Sequence, residues 1–113
     1  PLSFAKCAID KKAERVLVVD LTEHSSVAEH FVICSAQSDR QVRAIADALQ
    51  DLRKPRSVEG LQEGRWVLLD YGDTLVHVFL DPIRDYYRLE ELWAHARRVA
   101  IPSEFHGPMA TRM

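Results

Sequence analysis

The sequence contains few cysteines, glycines and prolines, and it has no long apolar run. Its 113 residues include two cysteines, Cys7 and Cys34, four glycines and five prolines. Two cysteines are too few for the disulfide framework of a small secreted domain, so we expect free thiols, with Cys34 buried in an apolar run. The longest apolar stretches, such as residues 16–19, are far shorter than the roughly 20 residues of a membrane span. These absences predict a cytoplasmic protein without a membrane partner.

The chain also lacks an excess of one charge sign. Lys and Arg number 15 against 17 Asp and Glu, which gives a formal net charge of -2. This balance argues against a protein that is held on nucleic acid mainly by a basic surface. The distribution is uneven, because residues 59–91 contain 3 basic and 8 acidic side chains, a balance of -5. This acidic segment suits a basic protein partner better than RNA.

Motifs of the common catalytic and metal-binding sites are absent. The sequence has no acid-x-acid pair to hold metal ions against a triphosphate, no Gly-rich phosphate loop, no Cys-x-x-Cys and no His-Glu-x-x-His. We therefore expect no enzymatic activity, no catalytic residue, no metal site and no cofactor. A small metal site at Asp70, Asp73 and His77 is a minor alternative, because loose clusters of this kind seldom bind metal.

The apolar pattern of the first third predicts a helix followed by two strands. Residues 2–13 are expected to form a short helix with Ser3 as its N-cap. Residues 16–21 and 30–35 are β-branched and almost wholly apolar, which is typical of buried strands. A polar loop connects the two strands.

The clearest local signal is a capped helix. Ser38 and Gln41 form a capping box, apolar residues then recur at helical spacing over residues 42–52, and Pro55 ends the helix. A short strand near Val58 would complete a right-handed crossover if it runs parallel to the preceding strand.

The second strong signal is a hairpin followed by a helix. Residues 65–71 and 74–80 predict two strands joined by a two-residue turn, and Asp81 and Pro82 predict the N-cap and first position of the next helix. The apolar stripe of this helix comprises Ile83, Tyr86, Tyr87, Leu89, Leu92 and Trp93. The folded domain is predicted to cover residues 1–99, and residues 100–113 to form a loose tail.

The hairpin register divides its side chains between two faces. One is a core face with Val67, Leu69, Val76 and Val78. The other combines large aromatic rings with one carboxylate and one imidazole, and it carries Trp66, Leu68, Asp70, Leu75, His77 and Phe79. Two interpretations remain open for this second face. It is either the anchor region of a protein interface, or it is covered by further helices with Asp70 and His77 paired at its margin.

Together these segments resemble the ribosomal silencing factor family, also called iojap-like proteins. The resemblance covers residues 2–93, and its motifs are specific when they are taken together. It rests on Asp-Lys-Lys-Ala-Glu at 10–14, Phe-Val-Ile-Cys-Ser at 31–35, Ser-Asp-Arg-Gln-Val at 38–42, Val-Glu-Gly at 58–60, Trp-Val-Leu-Leu-Asp-Tyr-Gly-Asp at 66–73, Val-His-Val-Phe at 76–79 and Arg-Asp-Tyr-Tyr-Arg-Leu-Glu-Glu-Leu-Trp at 84–93. Ala36 departs from the family's usual Gly, which puts the turn before the capped helix in doubt, and Thr74 departs from its usual aliphatic residue.

The resemblance implies a single α/β domain (α+β-like) with a mixed sheet of about five strands, flanking helices and a nucleotidyltransferase-like topology. It implies a translational repressor that binds the large ribosomal subunit through ribosomal protein fourteen of that subunit and blocks joining of the small subunit. It also implies a homodimer for the free protein. A large-subunit assembly or protection factor, or a nucleotide-binding enzyme on the same fold, are the alternatives.

This interpretation assigns roles to the second face of the hairpin. Asp70 and Asp73 would meet basic side chains of the ribosomal protein, and His77 would orient Asp70. The predicted partner-binding residues are Trp66, Leu68, Asp70, Asp73, Leu75, His77 and Phe79. Arg40 and Arg43, one turn apart on the capped helix, are candidates for an incidental rRNA contact, with a solvated helix face as the alternative.

Overall fold

The structure, a computed structural model, describes residues 1–26 and 28–106 and contains both helices and strands. None of the described helices is long and apolar enough to cross a membrane. The elements are α1 (Leu2–Asp10), β1 (Glu14–Asp20), β2 (His30–Ala36), α2 (Asp39–Leu52), β3 (Ser57–Glu59), β4 (Trp66–Asp70), β5 (Thr74–Leu80), α3 (Asp81–Tyr87), the single turn α4 (Leu89–Leu92), β6 (Arg97–Arg98) and a 3-10 helix (Ser103–His106).

The strands form one mixed sheet in the order β3-β4-β5-β2-β1-β6. Its two central strands, β2 and β5, run parallel, and the other neighbours are antiparallel. The predicted mixed α/β sheet is therefore confirmed, with six strands instead of about five. The additional strand is β6, where Arg97 and Arg98 pair with Asp20 and Val19. Two arginines carry no strand pattern, so this edge strand was not expected.

The hairpin has the predicted register. Trp66 pairs with Phe79 and Asp70 with Leu75, and the Tyr71 N–H donates to the Thr74 carbonyl at 2.9 Å across the two-residue turn. Because side chains alternate along each strand, this register places the predicted core set on one face. The residues of that set are fully buried: Val67, Leu69, Val76 and Val78.

Helices α1 and α2 cover this face, which we call the helical face. The side chains of this face form most of the core, together with Phe4 of α1 and Val42 and Ile45 of α2. Cys34 lies on it as a buried free thiol, as predicted, and burial raises its pKa to about 12. Leu52 was expected to continue the apolar stripe of α2, but it lies at the end of the helix and is 50% exposed.

The two N-terminal helices begin differently from one another. At α2 the predicted cap is confirmed, because Ser38 Oγ accepts the Gln41 N–H at 3.1 Å. The Gln41 side chain reaches one residue further back than expected and accepts the Gln37 N–H. At α1 the prediction of Ser3 as N-cap is wrong: the cap is Pro1, and Ser3 lies inside the helix.

The segment after the hairpin differs most from the prediction. Leu80 and not Asp81 caps α3, and the helix ends at Tyr87 because Arg88 has a left-handed backbone with φ of 51°. The break removes the helical spacing between residues 83 and 93, so the predicted stripe does not share one face. Tyr86 is 77% exposed and Leu92 is 68% exposed.

The described part of the predicted tail, residues 100–106, contacts the folded domain. The Val99 N–H donates to the Val18 carbonyl at 2.8 Å, and Ile101 packs against the core. The remainder of the predicted tail, residues 107–113, lies outside the described residues. Ala36 ends β2, and it is not among the described residues with positive φ, so this position requires no glycine.

Candidate functional site

The sheet face opposite the helical face carries a continuous group of aromatic rings, which we call the aromatic face. The Trp66 ring lies 4.7 Å from Phe79 and 5.1 Å from Tyr87, measured between ring centroids, and Phe31 lies 4.7 Å from His77. Register explains the grouping, because Phe31 pairs with Leu75 and Trp66 pairs with Phe79 across neighbouring strands. The face therefore gathers aromatic side chains from β2, β4, β5 and α3.

Burial divides the seven predicted partner-binding residues into two groups. Phe79 is fully buried and His77 is 5% exposed, because Trp66 packs on Phe79 and both Trp66 and Phe31 lie against His77. These two residues, although predicted to bind a partner, thus expose almost no surface for a direct contact. The remaining five are half-buried or exposed and form an open region: Trp66, Leu68, Asp70, Asp73 and Leu75. The face is therefore covered at His77 and Phe79 and open at the other five residues.

His77 supports Trp66 and does not orient Asp70. The Trp66 Nε1–H donates to His77 Nδ1 at 3.1 Å, while Asp70 Oδ1 accepts the Gly72 N–H at 2.8 Å. The expected pair of Asp70 and His77 is therefore replaced by two separate hydrogen bonds. Because Nδ1 is the acceptor, the neutral imidazole carries its proton on Nε2, which has no partner among the described residues. Burial lowers the pKa of His77 to about 4.

This depressed pKa predicts a pH dependence of stability. An unfolded histidine with a pKa of 6.5 takes up a proton at pH values where folded His77, with a pKa of about 4, stays neutral. The unfolded state then binds more protons, so stability is full above about pH 6.5 and falls as the pH is lowered towards 4. We expect the free energy of unfolding to fall by about 2 kcal/mol between pH 7 and pH 5 from this group alone.

Urea unfolding at several pH values measures this effect, with the variant His77→Gln as the control. The difference in unfolding free energy between pH 7 and pH 5 should be smaller in His77→Gln by about the same 2 kcal/mol. Equal pH dependence in the two proteins would contradict a neutral, buried His77.

Two carboxylates, Asp70 and Asp73, form an acidic rim at one edge of the open region. Asp73 is exposed in the hairpin turn and Asp70 is half-buried at the end of β4. No basic side chain of residues 1–26 or 28–106 forms an ion pair with either of them. Four other acids of the segment 59–91 are paired at α3 and α4, where Asp81 and Asp85 pair with Arg15, Glu90 pairs with Arg84 and Glu91 pairs with Arg88. The acidic excess predicted from the sequence is therefore carried by Asp70 and Asp73 at the hairpin turn, and by the exposed Glu59 and Glu63.

A buried arginine that the sequence analysis missed holds α3 and α4 on the sheet. Arg84 is 2% exposed, and its Nε donates to Glu90 Oε2 at 2.7 Å. Its Nη1 donates to the Arg15 carbonyl at 2.6 Å and to Ser35 Oγ at 3.3 Å. These bonds join α3 to α4, β1 and β2. In the sequence, the only sign of this buried role is that Arg84 lies among apolar residues of the predicted helix. Many exposed arginines have the same surroundings in sequence, so the sign is not specific.

The two candidate rRNA contacts lie far from this region. Arg40 is exposed near the start of α2, while Arg43 pairs with Asp39 at 3.3 Å and donates to the Gln62 carbonyl. Helix α2 begins beyond the C-terminal end of β2, whereas the hairpin turn adjoins the N-terminal end of β5, which is parallel to β2. A strand of seven residues spans roughly 20 Å. Arg40 and the acidic rim are therefore at opposite ends of the sheet.

The part of the chain that the structure describes contains no candidate metal site. No three His, Cys, Asp or Glu side chains of these residues come together in an arrangement that could hold a metal ion. Asp70, Asp73 and His77 do not form such a group, since His77 lies beneath the aromatic rings. The open region instead combines apolar side chains with an acidic rim.

Comparisons with known proteins identify the class to which this small α/β domain with an open aromatic face belongs. The family described as "Ribosomal silencing factor during starvation" matches residues 2–112. Ribosomal silencing factor RsfS of Bacillus subtilis (strain 168) is 46% identical over 92 residues, which cover 77% of this chain and 78% of that protein. Protein Iojap, chloroplastic, of Arabidopsis thaliana is 31% identical over 107 residues, which cover 91% of this chain and 45% of that protein.

Solved structures agree with the sequence comparisons. A crystal structure of a protein from Chromobacterium violaceum has a TM-score of 0.78 and 31% identity, covering 95% of this chain and 93% of its own. Another, from Bacillus halodurans, has a TM-score of 0.76 and 39% identity, covering 88% of this chain and 96% of its own. This chain belongs to the ribosomal silencing factor family, and the resemblance found in the sequence is confirmed. Family membership supports a ribosome-associated silencing role.

Proposed function

We propose that this protein is a translational repressor that binds the large ribosomal subunit through ribosomal protein fourteen of that subunit and blocks joining of the small subunit. The observation that carries the proposal is the open region of the aromatic face, with apolar anchors next to unpaired carboxylates. Family membership supplies the ribosomal context. Ribosomal proteins present many Lys and Arg side chains, which such carboxylates would meet.

The anchors of the proposed interface are Trp66, Leu68 and Leu75. Each is half-buried, so each retains apolar surface that a partner would remove from water. Trp66 is also held in place by its hydrogen bond to His77 and by stacking on Phe79. A large side chain that is already ordered loses little conformational entropy on binding, which favours it as the energetic centre of the interface.

The repression mechanism is steric. The domain measures 36 × 33 × 29 Å, and a rigid body of this size at the subunit interface would keep the two subunits apart. This mechanism requires no catalytic step, so the proposal is for a non-enzymatic factor. Calorimetry with ATP, GTP and Mg²⁺ tests the enzyme alternative, because a metal-dependent binding heat at micromolar nucleotide would support it.

For the free protein we propose a cytoplasmic homodimer. The exposed apolar side chains of α3 and α4, among them Tyr86, Tyr87 and Leu92, lie beside the aromatic face and would be covered in such a dimer. If the dimer covers the open region, it competes with the ribosome, and dilution favours ribosome binding. Light scattering across a concentration series measures the oligomeric state.

A subunit-joining assay tests the proposed function. Purified small and large subunits are mixed with increasing protein, and full ribosomes are separated from free subunits on a sucrose gradient. We expect the full-ribosome peak to fall while the protein sediments with the large subunit. Unchanged joining with the protein still bound to the large subunit would support the assembly or protection role instead.

The charge reversal Asp73→Lys tests the acidic rim in the same assay. Asp73 is chosen because it is exposed. Replacement of Asp70 would also disturb the turn, since Asp70 Oδ1 accepts the Gly72 N–H. We expect Asp73→Lys to weaken large-subunit binding by about 10-fold or more, since the lysine would face basic side chains. The matched control is Asp47→Lys, an equal reversal at an exposed position of α2 on the helical face. Equal weakening by both reversals would contradict a specific role of the rim.

A further inference from the structure

Three exposed basic residues lie just beyond α2. The helix ends at Leu52, and Arg53, Lys54 and Arg56 follow within four positions. None of the three forms an ion pair with an acidic side chain in residues 1–26 or 28–106. We call these three residues the basic stretch. It is a local concentration of positive charge in a protein whose net charge is -2.

The basic stretch lies beside the hairpin turn. The Arg56 N–H donates to the Asp70 carbonyl at 2.6 Å. A Cβ added at Gly72 would lie 3.3 Å from Arg56 Nη1 and 3.5 Å from its Cδ, so the Arg56 side chain runs along the turn. The Arg53 guanidinium lies over the Tyr71 ring, with its carbon 5.7 Å from the ring centroid. The basic stretch therefore borders the acidic rim of the aromatic face.

Interaction with the dipole of α2 explains only some of the three basic residues. Cations near a helix C-terminus interact favourably with its dipole, but the effect falls off within the last turn. Arg53 is the C-cap and is already extended, with φ of -157° and ψ of 138°. Arg56 lies four positions past the last helical residue, where it gains nothing from the dipole. The position of Arg56 next to the turn is better explained by a binding partner outside this chain than by the helix.

We infer that the basic stretch binds phosphates of ribosomal RNA adjacent to the ribosomal protein that the aromatic face recognises. This inference rests on the proposed function and adds a second class of contact to it. Arg offers several N–H donors in a planar group that fits phosphate oxygens, and Lys adds a compact positive charge. The assignment also moves the RNA contact away from Arg40, which lies at the other end of the sheet from the acidic rim.

The two contacts have different roles. Phosphate contacts carry no sequence information and depend strongly on salt. With a net charge of -2, the protein would bind isolated RNA weakly, so the basic stretch strengthens binding only where the aromatic face has already found its partner. The open region therefore selects the site, and the basic stretch increases the affinity there.

The double reversal Lys54→Glu/Arg56→Glu tests this inference. Arg53 is left unchanged because it packs over Tyr71. Affinity is measured on isolated large subunits and on the purified ribosomal protein alone, each over a series of salt concentrations. On subunits we expect affinity to fall by about 10-fold or more and the slope of log affinity against log salt to become shallower by roughly 1 to 2. On the ribosomal protein alone we expect no change.

The matched control is the double reversal Lys11→Glu/Arg40→Glu, which changes charge equally at exposed residues away from the basic stretch. It should bind subunits like the wild type. Urea unfolding of both double variants establishes that they are folded.

The outcomes separate this inference from the proposed function. If Lys54→Glu/Arg56→Glu binds subunits like the wild type at every salt concentration, the inference fails and the proposed function stands. Equal weakening on the ribosomal protein alone would assign the basic stretch to a protein contact and overturn the RNA assignment. If the wild type binds subunits but not the purified ribosomal protein, and the double reversal still weakens subunit binding, the proposed partner fails and the RNA contact stands. A wild type that binds neither target refutes both.

Discussion

Replacement of Arg84 by methionine is expected to lower the free energy of unfolding by about 3–5 kcal/mol. The Arg84 guanidinium is fully buried and donates to Glu90, to the Arg15 carbonyl and to Ser35. Its loss leaves the Glu90 carboxylate without its partner in a largely buried position, and Glu90 Oε1 already has no hydrogen bond among the described residues. Domains of this size are stable by only about 5–15 kcal/mol, so the variant should be close to unfolding at 37 °C.

Urea unfolding at pH 7 measures this loss, and a second replacement identifies its cause. In Arg84→Met/Glu90→Leu the unpaired carboxylate is also removed, so part of the stability should return. A loss below about 1 kcal/mol in Arg84→Met would contradict the structural role of this arginine. If the double variant is no more stable than the single one, the unpaired charge is not the cause of the loss.

Replacement of Trp66 by alanine is expected to weaken binding to the large subunit by at least about 30-fold, which corresponds to roughly 2 kcal/mol. The Trp66 ring is the apolar centre of the open region and contacts Phe79, Tyr87 and His77. Its removal deletes the anchor and also releases neighbouring rings from their ordered positions. Cosedimentation with isolated large subunits measures the effect, and urea unfolding shows that the variant is folded.

Two further variants make this result specific. Leu52→Ala shortens a half-exposed apolar side chain of α2, on the opposite side of the sheet, and should bind like the wild type. Trp66→Phe keeps a stacking ring but loses the N–H that His77 accepts, so an intermediate affinity is expected. Should Trp66→Ala bind subunits as tightly as Leu52→Ala does, the aromatic face is not the ribosome-binding surface.

Local patterns predicted the elements whose geometry is set by neighbouring residues. The hairpin register follows from its two-residue turn and from the alternation of side chains, and the start of α2 follows from Ser38 accepting the Gln41 N–H. The open residues of the aromatic face could be predicted for the same reason. Trp66 and Leu68 share a face with Leu75 once the turn is located at residues 72–73.

The remaining features depend on contacts between distant segments, which a local pattern does not contain. Phe79 is buried because Trp66 packs on it, and the packing of α3 on the sheet depends on Arg84 reaching Arg15 and Ser35 in β1 and β2. The left-handed conformation of Arg88 breaks a helix that the apolar spacing predicts as continuous. His77 accepts from Trp66 because the two rings are neighbours across the hairpin, where sequence reasoning had paired His77 with Asp70.

The parallel pairing of β2 with β5 has a consequence for synthesis of the chain. These central strands are neighbours in space, but 37 residues separate Ala36 from Thr74. Until β5 has been translated, β2 lacks one of its two partners, and the helical face lacks Val76 and Val78. Contacts between such distant segments form late and slow the folding of a chain. The nascent protein therefore acquires its central sheet, and with it the aromatic face, only when about three quarters of it has left the ribosome that makes it.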